Sequence, residues 1–195
     1  DLRGVVLPDP TGPDQIVSAT RLEKWAVCPH AYFVRHVLGV SPVEDPEEQY
    51  RISPLTLGSL VHDTLDTWIT EALHSGTIPE PGTAWPETSV SHLRELAEQE
   101  ASRLQQRGLV GRRVYWGRDH QVLLRDLEDF VDFDNTQRSA FSSRPIATEL
   151  PFGMPGSPTP PVEIPLADGR TLSVRGAIDR VDETPDGSVI VIDYK

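Results

Sequence analysis

Residues 176–195 decide the fold: they begin Gly176-Ala-Ile-Asp-Arg180 and end Val189-Ile-Val-Ile-Asp-Tyr-Lys195. Between these apolar runs lies Thr184-Pro-Asp-Gly187, a combination of residues typical of a tight turn. The second run is short and fully apolar, as expected of a strand in a sheet. The stretch therefore predicts a β-hairpin at the end of the chain.

Three charged side chains meet at the open end of this hairpin. Side chains alternate along a strand, so Asp193 and Lys195 point to one face and Tyr194 to the other. A turn centred between residues 186 and 187 puts Asp179 roughly across from residues 193–195. The two aspartates are then close enough to share a metal ion, with a lysine beside them.

The chain before the hairpin is mainly helical. Apolar residues at spacings of three and four predict helices from about 57 to 76, 88 to 106 and 113 to 141. A capping box at Thr20–Glu23 opens an earlier helix, and Pro29 predicts a break in it. The seven prolines of residues 145–165 leave room for a single short strand, over 146–152. Helices followed by strands indicate an α/β or α+β fold with one sheet.

Composition narrows the class of protein. The 195 residues are 37% hydrophobic, which suits a globular domain, and no apolar run approaches the ~20 residues of a membrane span. A single cysteine rules out an internal disulfide and fits a cytoplasmic location. The net charge of −12 argues against a simple nucleic-acid coat protein, but not against an enzyme that meets phosphate through a divalent cation.

One local stretch opposes this acidity. Residues 101–118 contain five arginines and no acid, with Tyr115 and Trp116 among them. Arginines beside exposed aromatic rings can follow the phosphates of a single strand and stack on its bases, so Arg112 and Arg113 are candidate DNA contacts. The alternative is a solvated helix connection with Trp116 in the core. The acidic run 126–134 is interpreted as a solvated helix face.

Several motifs in order give the sequence a family resemblance. From about Ser18 to Lys195 it resembles the RecB/AddB-type branch of the PD-(D/E)XK nuclease superfamily, which implies an α/β, restriction-endonuclease-like core. The motifs that carry the resemblance are Ser18–Pro29 with its Cys-Pro step, Gly58-Ser-Leu-Val-His62, Thr148-Glu-Leu-Pro-Phe152, Gly176-Ala-Ile-Asp-Arg180 and Ile192-Asp-Tyr-Lys195.

The resemblance assigns roles to the site residues. Asp179 and Asp193 would ligate Mg²⁺ or Mn²⁺, together with the Tyr194 carbonyl and the His62 imidazole. Lys195 would orient or deprotonate the attacking water. Two further assignments are Glu149, which would hold a water or a second cation, and Arg180, a DNA contact with Arg112 and Arg113.

Each assignment has a structural alternative. Asp179 and Arg180 could be surface charges on a hairpin, and Asp193 with Lys195 an exposed strand end. His62 shares a helix face with apolar residues, where a partly buried histidine with a satisfied ring is the usual finding.

Cys28 extends the resemblance to a second cofactor. Its position matches one ligand of the branch's 4Fe-4S cluster, whose other three cysteines follow the catalytic lysine, as does a Gln-x-x-x-Tyr helix. We therefore expect a fragment that is incomplete at its C-terminus, with the cluster formed only in the intact parent. Residues 1–17 are expected to be a linker and 18–195 the nuclease domain, helical over 18–141 and β over 145–195.

The implied function is a metal-dependent DNA exonuclease module of a helicase–nuclease for double-strand-break repair. DNA, as a single strand or an unwound duplex end, and a helicase domain or subunit are the expected partners. Two alternatives remain open: a CRISPR-associated or stand-alone nuclease with the same site, and a catalytically silent nuclease fold kept for DNA binding or as a scaffold.

Overall fold

The computed structural model describes residues 15–40 and 50–194. The predicted linker as far as residue 14, residues 41–49 and Lys195 lie outside this part of the chain. Mixed α/β architecture is confirmed. The elements, in chain order, are β1 (Ile16–Ser18), α1 (Ala19–Val27), α2 (Pro29–Tyr32), a π-helical turn (Phe33–Val37), α3 (Pro54–Ser75), α4 (Glu87–Gln106), α5 (Arg113–Phe141), β2 (Arg144–Phe152), β3 (Val162–Pro165), β4 (Thr171–Glu183) and β5 (Val189–Ile192).

The chain forms two compact units, which do not follow the predicted division into a helical and a β part. The first holds residues 15–40 and 151–177, and the second holds 50–150 and 178–194. The long strand β4 runs through both units and pairs with each of the other four strands. Among the described residues, no helix is both long and apolar enough to cross a membrane.

The first unit contains two strands that sequence reasoning missed. β1 pairs in parallel with β4, Ile16 opposite Ser173, so the end of the predicted linker, Ile16 and Val17, is part of the sheet. β3 lies within the proline-rich stretch and pairs antiparallel with β4. The predicted helix start was also wrong: Ser18, not Thr20, caps α1, because its hydroxyl accepts from the Arg21 N–H. The predicted break at Pro29 is confirmed, since α1 ends at Val27.

The second unit is built on three helices with the predicted bounds to within a few residues. Ser53 caps α3, and Gly76 ends it in the left-handed conformation (φ +67°) that glycine adopts without strain. Trp68 and Trp85 pack with ring centroids 4.2 Å apart. The core side chains come mainly from one stripe on each helix: Leu60, Leu65, Trp68, Ile69 and Ala72 from α3, Leu93, Ala97 and Ala101 from α4, and Trp116, Leu123, Leu127 and Val131 from α5.

The position of Trp116 decides one point about the arginine-rich stretch, namely whether this tryptophan is exposed or lies in the core. Its ring is buried in this core, and its Nε1 donates to Gln105 Oε1 at 3.1 Å. It is therefore not available to stack on a nucleic-acid base. Its helix α5 buries Leu123 but leaves the neighbouring Val122 exposed.

The predicted hairpin of β4 and β5 is confirmed. Arg180 pairs with Ile192 and Glu183 with Val189, and Thr184 closes the turn by donating its N–H to the Ser188 carbonyl at 2.9 Å. This register continues to Asp179 opposite residue 193, one residue from the position that a two-residue turn predicts. The difference arises because the turn spans five residues.

A buried ionic network lies behind the hairpin and corrects the assignment of Arg180. Arg180 is only 1% exposed, so it is not placed to contact DNA. Its guanidinium donates to both carboxylate oxygens of Asp182, at 2.6 and 2.9 Å, and to Asp134 Oδ1 at 2.5 Å. Burial lowers the pKa of Arg180, but its hydrogen bonds with Asp182 and the charge of Asp134 outweigh burial and leave that pKa raised. Arg180 is therefore a structural cation.

Asp134 corrects the interpretation of the acidic run as a wholly solvated face. It is 3% exposed, and its Oδ2 accepts from Trp85 Nε1 at 2.7 Å and from Arg138 Nε at 3.0 Å. Arg138 also donates to the carbonyls of Pro79 and Thr83. A buried carboxylate is tolerated here because each of its oxygens has charged or polar donors.

Candidate metal centre

His62 stands on the face of α3 that turns towards the hairpin. It is partly buried, and Asp66 and Thr70 follow it at intervals of four residues, so the three side chains share one side of the helix. Gly58 lies one turn before His62 on the same side. A Cβ added at Gly58 would meet no described atom within 4 Å.

Asp179 is held in place by the end of β5. The carboxyl is largely buried (9% exposed), and its Oδ2 accepts the backbone N–H of Tyr194 at 2.6 Å. Its other oxygen, Oδ1, lies 3.6 Å from Nδ1 of His62. The two oxygens of Asp179 thus have different contacts: Oδ2 binds the Tyr194 backbone, and Oδ1 faces the His62 imidazole.

The Tyr194 carbonyl also reaches His62. Its oxygen lies 3.1 Å from Nε2. As a hydrogen bond this contact has Nε2 as the donor, since a carbonyl oxygen only accepts. The same separation suits two neighbouring ligands of one octahedral ion, because ligands at 2.0–2.1 Å from the metal lie about 3 Å apart along an octahedral edge.

Glu149 completes the group from strand β2. Ligand atoms of His62, Glu149 and Asp179 all lie within 4.8 Å of one another. Glu149 has φ +43°, a left-handed conformation that is rare for a residue with a side chain. Partial burial raises the pKa of its carboxyl, and the nearby carboxylates of Asp179 and Asp66 raise it further. Strain and crowded negative charge are both features of functional sites.

The sequence of the chain is similar to those of known proteins. Residues 16–195 match the PD-(D/E)XK nuclease superfamily. The chain belongs to this superfamily. Three relatives are named as subunits of an ATP-dependent helicase/deoxyribonuclease: those of Clostridium tetani (31% identical over 189 residues), Symbiobacterium thermophilum (30% over 192) and Acetivibrio thermocellus (27% over 194). The matches cover 92%, 92% and 94% of this chain, but only 15%, 15% and 16% of the relatives.

Asp193, Lys195 and Cys28 are sequence-predicted residues that the described ligand group does not include. Asp193 follows β5, is exposed, and is not part of the three-residue ligand group. Lys195 lies outside the described residues. Cys28 belongs to the first unit, where its Sγ accepts from the Ala31 N–H at the start of α2. Of the predicted nuclease ligands, the structure brings together His62, Asp179, Glu149 and the Tyr194 carbonyl.

A polar cluster that sequence reasoning missed fixes Glu149 in this nuclease site. Thr148 donates from Oγ1 to Asp66 Oδ1 at 2.5 Å and lies 2.8 Å from the Thr70 hydroxyl, which also donates to Asp66 at 3.2 Å. This Asp66–Thr148–Thr70 cluster attaches β2 to α3 next to the strained residue. The spacing of four from His62 to Asp66 to Thr70 was the available signal, because it placed two polar side chains on the ligand face.

The Tyr194 ring packs against the inner side of the site. It packs edge-on against the rings of His62 and Phe130, with centroids 5.7 and 5.5 Å away. Burial raises the pKa of the Tyr194 phenol to about 12, although Arg180 is close enough to oppose the shift. The aromatic contacts fix the peptide that presents the Tyr194 carbonyl.

The donor set of this PD-(D/E)XK site fits a divalent cation. An imidazole nitrogen, two carboxylates and a backbone carbonyl converge from α3, β2 and the hairpin. Asp179 Oδ1 also faces the imidazole, 3.6 Å from its Nδ1. Hard oxygen donors with one imidazole suit Mg²⁺ or Mn²⁺ better than a soft metal.

Proposed function

We propose that this chain is the nuclease module of a helicase–nuclease and hydrolyses DNA phosphodiester bonds with the help of a divalent ion. The observation that carries the proposal is the convergence of His62, Glu149 and Asp179 in a domain of the PD-(D/E)XK superfamily. The names of the relatives support DNA as the substrate and a helicase as the associated activity. Because the chain spans about one-sixth of those relatives, the helicase is proposed as a partner domain or subunit. A cytoplasmic location follows from this role.

The proposed ligands are His62, Asp179, Asp193 and the Tyr194 carbonyl. Asp179 uses Oδ1, since Oδ2 is bound to the Tyr194 N–H. Asp193, which follows the last pair of the hairpin, would supply the second carboxylate ligand. A bound divalent ion would lower the pKa of water and polarise the scissile phosphate.

The other side chains of the site act on the attacking water and on the negative charge that develops on the phosphate. Lys195, two residues after Asp193, orients the attacking water and stabilises the negative charge that develops on the phosphate. Glu149, whose ligand atoms lie within 4.8 Å of those of His62 and Asp179, would hold a metal-bound water or a second cation. In-line attack then releases a DNA end, with exonuclease action on an unwound single strand as the proposed mode.

The imidazole favours Mn²⁺ over Mg²⁺ as the better-bound ion. Nitrogen ligands raise affinity for transition metals more than for Mg²⁺, whose preferred ligands are oxygens. Calorimetric titration of both ions against the complete protein that carries this chain tests the preference. Tighter binding of Mg²⁺ than of Mn²⁺ would contradict it.

A cluster ligated through Cys28 is proposed only for that complete protein. A 4Fe-4S cluster needs four ligands, and this chain has one cysteine. Iron and sulfide analysis of the complete protein, with Cys28→Ser as the comparison, tests this part separately. Full iron content in Cys28→Ser would exclude Cys28 as a ligand.

The nuclease proposal is tested with end-labelled single-stranded DNA and the complete protein in Mg²⁺ or Mn²⁺. We expect progressive shortening of the strand, complete inhibition by a chelator, and recovery when the ion is returned. Asp179→Asn and Lys195→Ala should each abolish cutting. Undiminished cutting by Lys195→Ala would overturn the mechanism, and DNA binding without any cutting by the unmutated protein would favour the catalytically silent alternative.

A further inference from the structure

A second feature lies at the corner where the segment before α3 meets the start of α5. Five residues form it: Tyr50, Arg51, Arg112, Arg113 and Tyr115. We call this set the arginine–tyrosine corner. All five are exposed, with 46% of Tyr50 and 42% of Tyr115 accessible. Exposed tyrosine rings among arginines are a combination that can stack on unpaired bases and contact phosphates.

Reciprocal contacts lock the corner together. The Arg112 guanidinium lies over the Tyr50 ring, 4.2 Å from its centroid, and Arg51 lies over the Tyr115 ring at 5.4 Å. The Arg112 N–H donates to the Tyr50 carbonyl at 2.9 Å. Arg51 also bridges to Gly111, where a Cβ would come within 2.6 Å of the Tyr50 carbonyl oxygen. The close backbone approach therefore requires glycine, and the four side chains are held in place before any partner arrives.

The charge of the corner is uncompensated within the described part of the chain. No described carboxylate forms an ion pair with Arg51, Arg112 or Arg113, whereas Arg103 in the same stretch is paired with Glu100. In a chain of net charge −12, residues 101–118 carry five arginines and no acid. Stacking on a ring also leaves the edge of a guanidinium free to donate in its own plane, where it can bind a phosphate in a fork.

We propose that the arginine–tyrosine corner binds single-stranded DNA on its way to the metal centre. Exposed ring faces stack on unpaired bases, and the flanking guanidiniums bind the phosphates between them. A duplex offers no free base faces, so the corner selects an unwound strand. The proposal rests on the proposed nuclease function, for which it names the path of the substrate.

The path runs along α3. From Pro54, three residues after Arg51, to His62 is eight residues, or about 12 Å of helix. Gly58 lies between them on the side of His62, and the space that its missing Cβ leaves open contains no described atom within 4 Å. A glycine inside a helix costs about 1 kcal/mol relative to alanine. A glycine at this position is explained if a sugar–phosphate backbone passes close to the helix there.

The test measures binding of a labelled oligothymidine by fluorescence anisotropy, using the complete protein carrying Asp179→Asn so that the strand stays intact. Tyr115→Ala should raise the dissociation constant about fivefold or more, and Tyr115→Phe should restore most of the affinity because the ring remains. Arg112→Ala should reduce the slope of log K against log salt by about 0.7. Arg94→Ala is the matched control, because it removes an equally exposed arginine that pairs with Glu128.

The outcomes separate this proposal from the nuclease proposal. In the cutting-competent protein, hydrolysis of bis(p-nitrophenyl) phosphate reports on the metal centre alone, since so small a diester cannot span both sites, and Arg94→Ala should leave it unchanged. Affinity for oligothymidine within about twofold of the parent in both variants would overturn the corner as a binding site, as would an equal loss in Arg94→Ala. Tighter binding of duplex than of single strand would overturn its proposed selectivity. Failure of the unmutated protein to hydrolyse either substrate would refute the nuclease proposal and leave the binding result standing.

Discussion

The backbone N–H of Tyr194 donates to Oδ2 of Asp179 at 2.6 Å, which ties the carboxylate on β4 to the segment after β5. The carbonyl of the same tyrosine lies 3.1 Å from His62 Nε2. Tyr194 therefore links a strand carboxylate to a helix imidazole that lies 132 positions before it in the sequence. Substitution of the residues that hold this site together should therefore change metal affinity, turnover or stability.

His62 is expected to contribute directly to ion affinity. His62→Ala removes an imidazole that lies 3.1 Å from the Tyr194 carbonyl and 3.6 Å from Asp179. Because neighbouring carboxylates then face the ion without its nitrogen ligand, Mn²⁺ affinity should fall at least about tenfold. Calorimetric titration measures this. His92→Ala, which removes an exposed histidine paired with Glu71 on α3, is the control and should leave the titration unchanged. Equal affinities in the two variants would remove His62 from the ligand set.

The Asp66–Thr148–Thr70 cluster is expected to position Glu149 without touching the ion. Thr148→Val keeps the shape of the side chain but loses the 2.5 Å hydrogen bond to Asp66, so β2 is free to relax away from φ +43° at Glu149. Outer-shell changes of this kind cost about 10- to 100-fold in metal affinity or activity. The fall should appear in Mn²⁺ titration and in the turnover number.

Thr67→Val is the matched control for that change. Its hydroxyl donates only to the Asp63 carbonyl one turn earlier on the same helix. It tests whether loss of any α3 hydroxyl disturbs the site. Turnover reduced equally by Thr67→Val and Thr148→Val would show that the cluster has no special role.

Much of this site could be predicted from the sequence, and the limits have physical causes. The hairpin was predictable because its turn and its apolar strand are local signals, and the helix carrying His62 because its apolar period is long. β1 and β3 were missed because neither has a signal of its own: each is only a few residues long and exists through pairing with β4.

Charge was harder to interpret than periodicity. Arg180 and Asp134 resemble surface residues in any window of sequence, and their burial depends on partners 46 positions apart. Composition likewise could not separate Trp116, which faces the core, from Tyr115, its exposed neighbour. Their difference follows from the direction in which α5 presents successive side chains.

Arg180 is expected to matter for stability. Arg180→Ala leaves Asp134 and Asp182 buried with one cation fewer, and breaking a buried pair from one side typically costs about 3–5 kcal/mol. Urea unfolding followed by tryptophan fluorescence measures the loss. Arg180→Lys should recover part of it, because the charge remains but the fork that binds Asp182 is lost.

Arg170→Ala provides the reference for a surface ion pair. Arg170 and Asp168 are both about half exposed, and such a pair contributes at most about 1 kcal/mol. A free energy of unfolding for Arg180→Ala as high as that for Arg170→Ala would show that the buried network is dispensable.

Gly58→Ala is expected to move stability and DNA cutting in opposite directions. Alanine favours the helix by up to about 1 kcal/mol, and its Cβ meets no described atom within 4 Å, so resistance to urea should rise. If the strand passes over this turn of α3, the same methyl group should lower kcat/KM for single-stranded DNA and spare bis(p-nitrophenyl) phosphate. Unchanged kcat/KM for DNA in a stabilised variant would move the path of the strand away from α3.

Tyr194 is expected to make stability depend on alkaline pH. Its phenol is neutral when protonated, and burial raises its pKa to about 12, above the value near 10 of the unfolded chain. Between these two values the unfolded state has lost a proton that the folded state keeps, so the stabilising contribution is complete below pH 10 and declines as the pH rises towards 12. The decline amounts to about 2–3 kcal/mol. Urea unfolding across this range should show a steeper fall in the unmutated protein than in Tyr194→Phe, which has no proton to lose; parallel curves would place the phenol in a solvated environment.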